Sequence, residues 1–464
     1  MAAQVFDAII IGAGQAGPSL AGRLTAAGWK VALVERKLFG GTCVNTGCMP
    51  TKTLVASAYA AHLARRAADY GVVLQGEVGV DMKAIKARQQ TVVHNARGGV
   101  EKWLKGMDGL SVFEGHARLT SPTTVQVGEA VLEAPKIFLN VGGRANVPDM
   151  PGVNDVPYLT NTGMMQLDVL PEHLVIVGGS YIGLEFAQMY RRFGAAVTVV
   201  EMGPRLIGRE DPEVSDTVRE ILEAEGVVFR LNSECISFSP CEEGVRVHVS
   251  CREGEPAVIG SHVLLAVGRK PNTDDLGLDA AGVTLDKRGY IQVDEALRTN
   301  VPSIWAMGDC NGRGAFTHTA YNDFEIIAAN LLDPEAHGDP RKVTDRLTAY
   351  ALYTDPPLGR VGMTEAEVRS SGRPALVGTR PMTRVGRAIE KGETQGFMKV
   401  LVDAETKQIL GASILGVSGD EAIHGILDIM YAKAPYTVLQ RTVPIHPTVS
   451  ELIPTVLGEL KPLA

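Results

Sequence analysis

The chain has 464 residues and a formal net charge of -8, with 45% apolar and 21% charged residues. At roughly 150 residues per domain this length calls for about three compact units, and no Gly/Ser-rich or Pro-rich stretch reads as a long linker, which excludes a mainly disordered protein. The acidic balance, with no compensating Lys/Arg cluster, excludes a general nucleic-acid binder.

The opening segment, MAAQVFDAIIIGAG, has no basic region ahead of its apolar run, and the run is much too short to cross a bilayer, so a cytoplasmic protein without a membrane partner is expected. Val5 to Ile11 reads as a short strand that flows into Gly12-Ala13-Gly14-Gln15-Ala16-Gly17, and Pro18 to Ala27 then reads as a helix. In that setting Gly12 permits the turn, Gly14 lets the backbone approach a pyrophosphate, and Gly17 lets the helix pack on the strand. A second strand, Lys30 to Val34, ends in Glu35, 23 residues beyond Gly12 and suited to accept hydrogen bonds from a ribose.

Next comes Gly40-Gly41-Thr42-Cys43-Val44-Asn45-Thr46-Gly47-Cys48-Met49-Pro50-Thr51-Lys52. On a regular helix, cysteines five apart would have Cα atoms about 8.6 Å from each other, beyond the limit of roughly 7 Å for a bridge. Either the backbone is distorted here or Cys43 sits in a turn before the helix. Six cysteines in a chain this long make no disulfide scaffold, so a bridge in a reducing compartment is expected to be chemically active. The spacing fits neither CxxC nor a four-ligand zinc pattern, and no metal site is expected. Of the other cysteines, Cys235, Cys241, Cys251 and Cys310 form no ligand-like cluster, and Cys251 continues the alternation Val245, Val247, Val249 as a packed strand residue.

The glycine pattern recurs about 166 residues on, where Leu174 to Val177 precedes Gly178-Gly179-Ser180-Tyr181-Ile182-Gly183, a helix follows, and Val197 to Val200 leads to Glu201. A second nucleotide site is implied, with Ser180 in place of the middle glycine. An acid at Glu201 pairs with a free 2′-hydroxyl and repels a 2′-phosphate, which favours NADH over NADPH, although Arg205 lies close by in sequence. Further along, Gly396 to Val402 and Ile409 to Leu415 read as strands and Asp420 to Lys433 as a helix.

Taken in order, the first glycine motif, GGTCVNTGCMPTK, the second glycine motif, Val267-Gly268-Arg269-Lys270-Pro271-Asn272, Thr299 to Asp309, and His446-Pro447-Thr448 with Glu451 resemble the class I flavoprotein disulfide reductases. That family includes dihydrolipoamide dehydrogenase, glutathione reductase and mercuric ion reductase, and the resemblance spans nearly the whole chain. It implies an α/β fold with two nested Rossmann-like domains and a C-terminal α+β dimerisation domain. The FAD-binding domain would comprise residues 1–146 and 268–345, the NAD(P)-binding domain 147–267 and the dimerisation domain 346–464.

The same resemblance implies that Gly12, Gly14, Gly17, Glu35 and Asp309 contact FAD, with Asp309 on the ribityl chain. Gly178, Ser180, Tyr181, Gly183 and Glu201 would hold the pyridine nucleotide, with Tyr181 as a gate over the nicotinamide pocket. Gly41, Thr42, Lys52, Gly142 and Gly268 are further cofactor-binding positions. Cys48 would be the thiolate beside the flavin, Cys43 the thiol that meets the substrate, and Lys52 and Glu185 an ion pair near the reactive flavin nitrogen. His446, oriented by Glu451, would be the acid/base supplied by the partner of a homodimer.

These implications point to a reductase of a small-molecule or protein disulfide. A mercuric or copper ion reductase using the same dithiol is the alternative; Tyr353 to Met363, Arg387 to Asp403 and Cys310 look like mercuric reductase. The C-terminal GELKPLA without a cysteine pair, the presence of His446 and the lack of an N-terminal metal-binding domain argue against mercury. A dihydrolipoamide dehydrogenase-type subunit of a multienzyme complex is a third possibility.

Overall fold

The computed structural model describes residues 2–250 and 255–463, so the expected strand role of Cys251 lies outside the described residues. The chain divides into two compact units. The first comprises Met1–Thr53, Lys83–Asn146 and Gly268–Arg346; the second comprises Leu54–Met82, Val147–Val267 and Leu347–Ala464.

The first unit is built on a five-stranded parallel sheet in the order Ile304–Ala306, Ile137–Leu139, Ala8–Ile11, Val31–Glu35, Leu110–Glu114. Alternate residues of these short apolar strands face opposite layers, as the two-residue period requires. Ile9, Ile11, Val34 and Leu139 pack with Leu119, Val125 and Leu132 of a second, four-stranded sheet. Ala8, Ile10, Leu33 and Phe138 pack instead with Leu20, Leu24, Phe324 and Ile327 from helices Ala16–Ala26 and Thr317–Leu332. Burial on both faces explains why the strands are continuous apolar runs.

The run Val5 to Ile11, expected as one strand, is two. Gln4–Val5 pairs in parallel with Ala130–Glu133 in the second sheet, while Ala8–Ile11 enters the five-stranded sheet. Asp7 makes the switch: its amide donates to the Lys30 carbonyl at 2.8 Å and its carboxylate accepts from the Lys30 amide at 2.7 Å. Val5 on the outer side stays exposed.

The second unit contains a parallel sheet in the order Val227–Arg230, Ala196–Val200, His173–Val177, His262–Leu265, a three-stranded antiparallel sheet and a six-stranded antiparallel sheet. In both parallel sheets the strand before the glycine turn is central and the order reverses beside it, which opens a crevice at the carboxyl ends of the strands. Phe397–Asp403 and Ile409–Leu415 form adjacent strands of the six-stranded sheet. Asp420 to Lys433, expected as one helix, forms two, Gly419–Ala422 and His424–Tyr431, joined at Ile423, whose backbone stays helical at φ -64, ψ -25. No helix among the described residues is long and apolar enough to cross a membrane.

Candidate active site

The cysteine segment folds as a short helix, Gly41–Asn45, a break at Thr46 (φ -143) and Gly47, and a long helix, Cys48–Arg65. Cys43 therefore sits in the first helix and Cys48 opens the second, which resolves the spacing problem by interrupting the helix between them. Pro50 lies in the first turn of the long helix, where a missing N–H costs nothing. Asn45 braces the loop by donating from Nδ2 to the carbonyls of Phe39 and Gly41, both at 2.9 Å.

This loop is tied to the first glycine turn. The Gly40 amide donates to the Ala13 carbonyl at 2.9 Å, and Gln15 Nε2 donates to the Gly40 carbonyl at 3.0 Å. A Cβ on Gly41 would lie 2.8 Å from Gly14 Cα, so two bare backbones face each other closely.

Cys43 and Cys48 stand as free thiols, with Cys48 Sγ 3.2 Å from Thr317 Oγ1. The hydrogen bond from Cys43, with help from Thr317 and the Lys52 charge, outweighs partial burial and lowers the Cys48 thiol from the ordinary 9.0 to about 6. Its place at a helix N-terminus acts in the same direction. Cys43 is pushed the other way, first by its hydrogen bond with Cys48, then by burial and by the neighbouring charge. The two shifts run in opposite directions, so Cys48 is the sulfur of the pair that gives up its proton more readily.

In the first glycine turn Gly12 has φ +106, and a Cβ there would lie 2.3 Å from the Asn140 carbonyl oxygen. A Cβ on Gly17 would lie 2.2 Å from the Gly12 carbonyl oxygen. Glu35 closes the turn, accepting from Ala13 N at 2.9 Å and from Lys37 N at 2.8 Å. Asp309 opens a short turn after Ile304–Ala306, and its carboxylate lies 3.6 Å from Arg269 Nε. Burial raises its pKa against the pull of Arg269. Gly142 and Gly268 each precede one strand of the antiparallel pair Gly143–Ala145 and Arg269–Pro271, where the chain leaves and re-enters this unit. Lys52 and Thr42 belong to the same unit.

The second unit repeats the turn. Gly178 has φ +114 with a would-be Cβ 2.5 Å from the Ala266 carbonyl oxygen, and a Cβ on Gly183 would lie 2.1 Å from the Gly178 carbonyl oxygen. Glu201 accepts from Gly179 N at 2.6 Å and from Gly203 N at 2.7 Å, as Glu35 does in the first. Ser180 precedes helix Tyr181–Phe193 with extended backbone. From that helix the buried Glu185 accepts from Tyr353 N at 3.0 Å. His446 and Glu451 also lie in this unit, with Nδ1 2.9 Å from Oε2; the imidazole is 80% exposed and the carboxylate 15%.

Two domain models match this chain: pyridine nucleotide-disulphide oxidoreductase over residues 6–323, and the dimerisation domain of the same family over residues 348–457. The chain belongs to the pyridine nucleotide-disulphide oxidoreductase family. It is 37% identical to the probable pyridine nucleotide-disulfide oxidoreductase RclA of Escherichia coli K12, over 96% of this chain and 97% of that protein. It is 31% identical to a dihydrolipoyl dehydrogenase of Chlamydia muridarum, over 97% and 95% of the two chains, and 32% identical to a mercuric reductase of Streptomyces lividans, over 97% and 94%. A solved Cu(II) complex of the HOCl-induced flavoprotein disulfide reductase RclA superposes with a TM-score of 0.89 at 35% identity, covering 98% of this chain and 99% of the other.

The protein is therefore a flavoprotein oxidoreductase of a family that depends on FAD and a pyridine nucleotide. The residues of the first unit fit a dinucleotide. The Gly14–Gly41 approach leaves a side-chain-free cradle at the strand ends, and Glu35 already orients the turn. Gly12→Ala should yield protein with little bound flavin, because both the positive φ and the contact with Asn140 forbid a side chain. The flavin-to-protein absorbance ratio measures this, and a normal ratio would contradict it.

Three residues that complete the first unit's site escaped sequence reasoning. Thr317 meets Cys48 across 269 positions of chain. Asn140 donates from Nδ2 to the Gly12 carbonyl at 3.2 Å. Asp323, buried, accepts from the amide of Gly308 and from Asn311 Nδ2, both at 2.8 Å, and so fixes the turn that carries Asp309. None belongs to a spaced motif.

Proposed function

We propose that this protein is an NAD(P)H-dependent reductase that passes electrons through a Cys43–Cys48 disulfide to an acceptor disulfide. The observation that carries the reading is the geometry of the pair: Cys43 and Cys48 stand on either side of a helix break, with Cys48 opening the long helix and its Sγ 3.2 Å from Thr317 Oγ1. The FAD-binding part is assigned to residues 1–146 and 268–345, the NAD(P)-binding part to 147–267 and the dimerisation part to 346–464. Gly12, Gly14, Gly17, Glu35, Gly41, Thr42, Lys52, Gly142 and Asp309 would hold FAD, Gly178, Ser180, Tyr181, Gly183 and Glu201 the pyridine nucleotide, and Gly268 would be a further cofactor-binding position. Bound FAD and the nicotinamide supply the electron pair that opens the disulfide.

Cys43 then attacks one sulfur of the acceptor disulfide while its proton passes to the partner's His446. The attack makes a mixed disulfide, and the departing thiolate takes that proton back. Cys48 thiolate next attacks the Cys43 sulfur, which restores the bridge and releases the second acceptor thiolate. The Glu451 carboxylate keeps the proton on Nδ1 and leaves Nε2 for this exchange. Homodimer formation is supported by the dimerisation-domain match and by Val443 and Ile445, apolar side chains 96% and 80% exposed beside His446. A cytoplasmic location fits a chemically active dithiol.

NADH is the preferred donor in this reading, because Glu201 is held by two backbone amides where a ribose hydroxyl would bind. Glu201→Gln should lower the NADH:NADPH ratio of kcat/KM by about ten- to hundredfold, the range set by losing a charged hydrogen bond and a phosphate-repelling charge. An unchanged ratio would contradict the assignment.

A second reading, reduction of a metal ion by the same dithiol, is favoured by the likeness to RclA, which was solved as a Cu(II) complex. The readings separate on NADH turnover with lipoamide, glutathione disulfide, Cu(II) and Hg(II). Saturable turnover with a disulfide supports the first; turnover with a metal ion alone supports the second.

A further inference from the structure

Tyr181 opens helix Tyr181–Phe193 directly after the second glycine turn, and its surroundings do more than pack it. Its ring meets that of Tyr350 edge-on, with centroids 5.4 Å apart at 75°, and the two hydroxyls share a hydrogen bond. The Tyr350 hydroxyl also donates to Glu210 Oε1. Glu210 has a fully inaccessible side chain, and its Oε2 lies 3.7 Å from Nη1 of Arg360, a guanidinium only 1% exposed that also lies 3.2 Å from Asp211 Oδ2.

The loop bearing Glu210 is joined to the glycine turn as well. Glu210 N donates to the Ile207 carbonyl at 2.8 Å, and Ile207 N donates to the Gly179 carbonyl at 2.9 Å. A chain of contacts therefore runs from the turn that would hold the dinucleotide, through Ile207 and Glu210, to Tyr350 and back to Tyr181. Its deep end is held inside the fold, because displacing a buried acid that receives the Tyr350 hydroxyl would leave polar atoms buried without partners.

The geometry points to Tyr350 and Glu210 as positioning residues that hold the Tyr181 ring for the nicotinamide end of the bound pyridine nucleotide. This rests on the reading that the second glycine turn binds that nucleotide. In this proposal the Tyr181 ring is a held wall of the nicotinamide pocket in place of the moving gate that the resemblance implies: tied at its hydroxyl and braced on its edge it presents one orientation, and a ligand that stacks against it need not order it on binding. Removing the tie should weaken binding of the ring-bearing ligand alone. Tyr350→Phe keeps the aromatic edge and deletes only the hydroxyl, so the change should be about fivefold, the effect of one hydrogen bond.

The test is calorimetric titration of the FAD-loaded protein with NAD⁺ and, separately, with ADP-ribose, which has no nicotinamide. Wild type, Tyr350→Phe, Tyr181→Ala and the double variant are compared, with melting temperature recorded for each. The expected result is that Tyr350→Phe weakens NAD⁺ about fivefold, leaves ADP-ribose and melting temperature unchanged, and has no further effect in the Tyr181→Ala background. Glu210→Gln, which keeps the shape and one acceptor for the Tyr350 hydroxyl, should retain most of the NAD⁺ affinity. If Tyr181→Ala shifts NAD⁺ relative to ADP-ribose but Tyr350→Phe does not, the positioning role is overturned and the nucleotide reading stands. If no variant binds either ligand differently from wild type, the nucleotide reading itself fails and the proposal falls with it. Equal weakening of both ligands by Tyr350→Phe would mark a merely structural contact and also overturn it.

Discussion

Cys48→Ser and Cys43→Ser should each reduce acceptor-disulfide turnover to background while the protein still binds flavin and still oxidises NADH when the flavin is the only electron sink. The two sulfurs are not interchangeable, so the variants should differ in their thiol chemistry. Cys48 owes its low pKa of about 6 first to the hydrogen bond from Cys43. At pH 7 a thiol of that pKa is roughly nine-tenths thiolate, against roughly one-hundredth for an unperturbed one at 9. The remaining Cys48 of Cys43→Ser keeps a hydroxyl donor in place of the thiol, and its alkylation rate should still level off near neutral pH. Cys43→Ala removes the donor and should move that plateau upward in pH. Below about pH 6 the thiolate protonates and alkylation slows in every variant that retains the donor. Equal pH profiles for Cys43→Ser and Cys43→Ala would show that Thr317 and Lys52 alone set the thiolate.

His446→Gln should cost acceptor turnover a factor of about 10² to 10⁴, the usual contribution of a positioned acid or base. Flavin content and reduction by NADH should be untouched, since in the proposed function His446 acts only on the proton that enters and leaves Cys43. Glu451→Gln should cost less, because the imidazole remains and loses only its orienting partner at 2.9 Å. The imidazole is 80% exposed within its own chain, and in the proposed function it serves Cys43 of a second subunit. Mixing His446→Gln with a Cys43→Ser variant should therefore restore up to part of the turnover, in heterodimers that keep one intact combination of Cys43 and His446. Failure to restore any activity would place His446 in its own chain's site.

Legibility followed chain distance. The two glycine turns were readable because every element of each, strand, turn, helix and acid, falls within about thirty consecutive residues; that Glu35 and Glu201 also accept from amides of their own turns was not, because their spacing pointed only to a ribose. The cysteine spacing made an interruption of the helix readable, yet its position at Thr46 and Gly47 was not, since both residues are compatible with a turn or a helix end. Val5 to Ile11 misled because the apolar run hides Asp7, whose bonds to Lys30 split it between two sheets. Thr317, Asn140, Asp323, Tyr350 and Glu210 carry no spacing signal at all. Each acts through a partner brought near only by the fold, as with the 140 residues between Tyr350 and Glu210.

Titrating protein thiols is the most direct test of electron exit through the cysteine pair. The air-oxidised protein is denatured and its thiols counted before and after anaerobic treatment with NADH, and the new thiols are located by alkylation and peptide mass. The expected result is a gain of two thiols per chain, at Cys43 and Cys48 and nowhere else, in wild type only. No gain, with the flavin nonetheless reduced, would mean that electrons leave from the flavin itself and that the cysteine pair is not their route.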